Sequence, residues 1–87
     1  MADKRLLDGE SIFLLMDSHG LPLEIICLEL RREGLAFNVL EFVESALRSK
    51  NFTYSKIKTR LLGAMLPEYR GAFALELDET AAKRNWC

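Results

Sequence analysis

The sequence predicts an all-α fold, a single compact bundle of four or five short helices across residues 1–87, with only the C-terminal segment readable in two ways. Three observations carry this. Apolar residues recur at three- and four-residue spacing along most of the chain, the period of one helical face. Glycine, proline and side chains that cap helices punctuate those stretches. The composition, 49% hydrophobic and 29% charged, supplies apolar material for a core and is not that of a disordered tail. A chain of this length holds one core and buries roughly 60–65% of the surface its unfolded form exposes.

The first helix is expected over residues 10–19, where Ile12, Leu15, Met16 and His19 share a face. Asp8 or Ser11 suits its N-cap, and Gly20 its end. Pro22 then opens a second helix running to about Glu33. Its stripe is Leu23, Ile26, Cys27 and Leu30, its last turn carries Arg31 and Arg32, and Gly34 stops it. Asn38 and Glu41 form a capping-box pattern for the third helix, with Phe37 and Phe42 placed to staple across it. Val39, Val43, Ala46 and Leu47 continue that helix to Ser49.

A fourth helix should begin after Thr53 and end near Pro67, with Tyr54, Ile57, Leu61 and Met65 turned inward. Beyond it, Phe73, Leu75 and Leu77 alternate with polar or small residues as in a strand. A lone strand has no partner in such a chain, and Tyr69, Phe73, Leu77 and Ala81 fit a helix, the reading preferred here. Asp78 would otherwise cap a last short helix. The expected core is Ile12, Leu15, Leu23, Ile26, Leu30, Phe37, Val43, Leu47, Ile57 and Leu61.

No apolar run approaches the ~18 residues that a membrane span needs. Residues 1–5 lead into polar rather than long apolar sequence, so a cytoplasmic protein without a secretory leader is expected. Cys27 reads as a small buried hydrophobe and Cys87 as a terminal thiol, which makes neither a disulfide framework nor a zinc pattern. No cofactor is implied. The five glycines are scattered rather than gathered in a phosphate loop. Asp17, His19 and Glu24 are the nearest approach to an acid–base cluster. Asp17 and His19 stand two apart and cannot face each other on a helix, so His19 is expected partly buried at a bend. An enzyme is not expected.

Charge is polarised. Residues 1–47 hold four basic and nine acidic side chains, net −5, whereas residues 48–70 hold six basic against Glu68 alone, net +5. Within the basic segment, Arg48, Lys50, Tyr54, Lys56, Lys58 and Arg60 offer cations and a hydroxyl to phosphates. Helices three and four with their turn also make a loose helix-turn-helix outline, Asn51 standing near the place of the usual turn glycine.

One segment carries a family likeness. Leu7-Asp8-Gly9 is followed by Phe13-Leu14-Leu15-Met16-Asp17-Ser18-His19-Gly20-Leu21-Pro22-Leu23-Glu24 and then by Arg32-Glu33-Gly34-Leu35. This resembles a stretch of bacterial alanyl-tRNA synthetases, where Asp-Thr-Tyr-Gly-Phe-Pro-Leu-Asp leads into a helix ending in a Glu-x-Gly-Leu-type turn. Asp17, Gly20, Pro22 and Leu23 keep that pattern, while Ser18, His19, Leu21 and Glu24 replace its other residues. The likeness covers about residues 6–47. It implies a piece of the helical tRNA-recognition region and no ligase activity, because the catalytic, editing and cysteine-bearing motifs are absent. The shared residues have structural content too: glycine ends one helix, proline starts the next, and Asp17 is placed to tie the bend.

The expected function is therefore a non-catalytic binding module. The first reading is a protein partner or homodimer, engaged through Phe73, Leu75, Leu77 and Trp86. The second is RNA or DNA, bound through the basic segment 48–60.

Overall fold

The computed structural model describes residues 6–86, so Cys87 and the first five residues lie outside it. Five helices follow in order: α1 (Gly9–Asp17), α2 (Leu23–Arg32), α3 (Val39–Arg48), α4 (Tyr54–Gly63) and α5 (Pro67–Arg84). Two short strands, β1 (Leu6–Leu7) and β2 (Ala36–Phe37), pair in parallel with Leu6 opposite Ala36 and Leu7 opposite Phe37. The fold is the expected small all-α bundle, with this two-residue pairing added ahead of α1 and α3.

The helix starts follow local chemistry. Asp8, Asn38 and Thr53 each accept the backbone N–H three residues on, from Ser11, Glu41 and Lys56. Each bond satisfies one of the orphan donors of a first turn. Phe37 and Phe42 close the staple over the α3 cap, with ring centroids 5.5 Å apart. The capping box is only half made. The Asn38 N–H donates to Leu7 in the β pairing, and the Glu41 carboxylate takes the Gly9 N–H instead. Gly20 and Gly34 hold φ of 68° and 69° at the ends of α1 and α2, where other residues are strained.

Phe42 is the centre of the core and is fully buried, which stabilises the fold by roughly 1.5–3 kcal/mol relative to an exposed ring. Phe13 meets it edge-on at 6.1 Å and meets Phe52 at 5.8 Å. Around them pack Ile12 and Met16 of α1, Leu23 and Ile26 of α2, Val43 and Ala46 of α3, Ile57 and Leu61 of α4, and Leu77 of α5.

Two expectations are corrected. Leu15 is 36% exposed, because α1 turns Gly9, Phe13 and Met16, at i, i+4 and i+7, onto α3. The fourth helix stops at Gly63, and Pro67 sits in the first turn of α5, where its missing N–H costs nothing. Residues 72–78 are helix, the reading preferred from the sequence, and Asp78 lies within α5 rather than capping a last short helix.

Candidate functional site

Two regions were marked by the sequence, and the structure treats them differently. In the basic segment, Tyr54 and Lys58 share one face of α4 and both reach Asp78 on α5. The Tyr54 hydroxyl donates to Asp78 Oδ1 at 2.7 Å, and Lys58 Nζ lies 2.9 Å from both carboxylate oxygens. The Lys58 ammonium and the Tyr54 hydroxyl hold the Asp78 carboxyl below its ordinary range. These two side chains thus clamp α4 to α5.

The other basic residues do not converge. Lys56 and Arg60 stand one turn apart on the exposed side of α4, and Arg60 also lies 5.8 Å from the Phe52 ring centroid. Lys50 is exposed in the preceding turn and carries the positive φ, 67°, in place of the adjacent Asn51. Arg48 donates to Ser45 Oγ and lines a shallow depression with Glu44, Leu47, Asn85 and Trp86. Among the described residues, no ion pair engages Lys50, Lys56 or Arg60.

The four C-terminal apolar residues also part company. Leu77 is 3% exposed and belongs to the core, which removes it from any docking surface. Trp86 is half-buried and tilts against Tyr54 at 6.1 Å. Leu75 projects from the far side of α5, 69% exposed. Phe73 turns into an apolar groove.

That groove is the feature that sequence reasoning missed. It encloses about 210 Å³ between α2, the β2 segment, the end of α4 and the first half of α5. Cys27 and Leu30 form one wall, Leu35, Ala36, Phe37 and Val39 the floor, and Leu61, Ala64, Met65 and Phe73 the opposite wall. Arg31 stands among these side chains as the cation, its Nη1 3.4 Å from the Ala64 carbonyl. Burial pushes the Cys27 thiol up, with Arg31 pulling it down and Glu24 adding to the rise. The signal was present in part. Cys27, Leu30, Leu61 and Met65 all fall on inward faces, but only the packed helices show that they stop short of closing on one another.

The acid–base candidates stay apart. His19 is exposed rather than partly buried, and Asp17 makes no side-chain hydrogen bond to the bend. Among the described residues no group of His, Cys, Asp and Glu is arranged to hold a metal ion, and no helix is long and apolar enough to cross a membrane. No family model, curated protein or solved structure matches the chain.

Proposed function

We propose that this chain is a non-catalytic protein-binding module that seats apolar side chains of a partner protein in the groove between α2, α4 and α5. The observation that carries the reading is the groove itself: a concave site walled by aliphatic, aromatic and thioether groups, with one cation among them. Its volume of about 210 Å³ lies below the roughly 300 Å³ at which sites for drug-sized ligands begin. It suits a few anchoring side chains of a peptide segment. Met65 and Phe73 on one wall add adaptable, polarisable contacts of the kind used by helix-in-groove recognition.

The test is selection of peptides against the folded protein, followed by NMR titration. Enriched peptides should carry two or more large apolar residues. They should shift the resonances of Cys27, Leu30, Met65 and Phe73, and Met65→Glu should abolish the shifts. Peptides that perturb only other surfaces, or no enrichment, would overturn the reading.

A second reading rests on Lys50, Lys56 and Arg60, which lie exposed and without an acidic partner among the described residues. Together with the resemblance to a tRNA-recognition region, they support binding to RNA. The discriminating variant pairs Lys56→Glu with Arg60→Glu. Binding to tRNA that falls with salt and is lost in this variant favours the second reading. Binding that persists, or is absent at low salt, removes it.

A further inference from the structure

α2 is apolar on two sides. Leu23 and Ile26 enter the core, yet Ile25 and Leu28 point the other way and are 48% and 45% exposed, with Leu21 ahead of them at 40%. Ile25, Leu28 and Arg32 follow a three–four spacing along α2, the seam of two helices packing side by side, while Leu21 lies just ahead of the extended Pro22 cap. Arg32 is held at 2.9 Å by Glu29, and its aliphatic stem can lie along the seam. A helix that is apolar on its outer face as well as its inner one has a surface to cover.

We propose that a second copy of this chain covers it, the two α2 helices pairing antiparallel about a twofold axis between Ile25 and Leu28. Ile25 of each copy then meets Leu28 of the other. The charges beside the seam select this occupant and this direction. Glu24 is in the first turn of α2 and Arg31 in the last, one heptad apart on the same flank. Antiparallel pairing brings Glu24 of each copy opposite Arg31 of the other, twice over by symmetry. Parallel pairing would instead set Glu24 of one copy beside Glu29 of the other, a like-charge contact. The helix dipoles also oppose favourably only in the antiparallel arrangement. α2 is thus complementary to itself, as a twofold interface requires. Two apolar layers on one short helix fall short of the roughly 1,200 Å² buried by stable complexes, so the dimer is weak and concentration-dependent.

Sedimentation of the full chain from low-micromolar to near-millimolar concentration tests this. The mass should rise from 10.0 kDa toward twice that value. Glu24→Arg alone and Arg31→Glu alone should each weaken association on the order of tenfold, because both symmetry-related contacts become repulsive. An equimolar mixture of the two variants should dimerise again, as should a chain carrying both changes. Leu28→Asp should leave a folded monomer by circular dichroism. A wild type that stays monomeric throughout overturns the proposal. So does a dimer indifferent to Leu28→Asp and Glu24→Arg, or a mixture that fails to recover. Arg31 lines the groove, whereas Leu28 and Glu24 do not, so the Leu28→Asp and Glu24→Arg outcomes are the ones independent of peptide binding there.

Discussion

The backbone N–H of Gly9 donates to the carboxylate of Glu41, joining the first turns of two helices 32 residues apart in sequence. The two helix starts press together there. A Cβ at position 9 would overlap the Phe42 amide nitrogen and the Asn38 carbonyl oxygen, and would lie 2.8 Å from the Glu41 carbonyl carbon. These neighbours are backbone atoms of a capped helix and cannot swing aside. Gly9→Ala should therefore destabilise the fold by about 2–4 kcal/mol, a large loss for one methyl group. Glu41→Ala, which leaves the Gly9 N–H without its charged acceptor, should cost about 1–3 kcal/mol. Urea titrations of both variants measure this. If Gly9→Ala unfolds at the wild-type midpoint, the close approach of α1 to α3 is wrong.

Asp78 gives a pH prediction. Its folded-state pKa lies below the ordinary 3.8 because Lys58 and Tyr54 stabilise the carboxylate. The unfolded chain therefore binds the proton more readily. The clamp's contribution is present above the ordinary carboxylate pKa and is lost as pH falls through the lower, folded value. Melting temperatures of wild type and Asp78→Asn should differ at neutral pH and converge in acid below about pH 3. A constant gap across that range would rule out the linkage.

How far these features were legible depends on the distance over which their causes act. The caps at Asp8, Asn38 and Thr53 involve partners three residues away, so the sequence displays donor and acceptor together. The rotation of α1 does not follow from α1 alone. Ile12 and Met16 fit two different faces, and Gly9 meeting the start of α3 selects the one with Phe13 rather than Leu15. The pairing of Leu6–Leu7 with Ala36–Phe37 is too short to show any period. In the basic segment, helical spacing separated Lys56 and Arg60 from the inward Tyr54, but only the neighbouring α5 shows Lys58 engaged by Asp78. The groove escaped notice because an inward-facing residue reads as core whether or not the opposite wall reaches it.

Cys27 reports on that groove. Burial is the main cause of its raised pKa, so the thiolate forms less readily than in an open chain. In a Cys87→Ser background, alkylation of Cys27 should be slower at neutral pH than that of the unfolded protein, and its midpoint should lie above the ordinary thiol value. A groove-binding peptide should slow it further. Equal rates in folded and denatured protein would mean that the thiol is not sheltered as the packing indicates.

Leu75 and Leu77 separate two roles for α5. They are two residues apart on a continuous helix and so face nearly opposite directions, one 69% exposed and the other 3%. Leu77 fills the space beside Ile57 and Leu61, and its truncation leaves a cavity that a packed core closes only in part. Leu77→Ala should lower stability by about 2–4 kcal/mol, whereas Leu75→Ala should change it by less than about 0.5 kcal/mol. Were residues 72–78 a strand, both side chains would lie on one face and the two losses would be similar. Thermal or urea unfolding of the pair thus distinguishes helix from strand. It also tests the removal of Leu77 from the docking residues, since a partner contact would leave the isolated chain's stability unchanged when truncated.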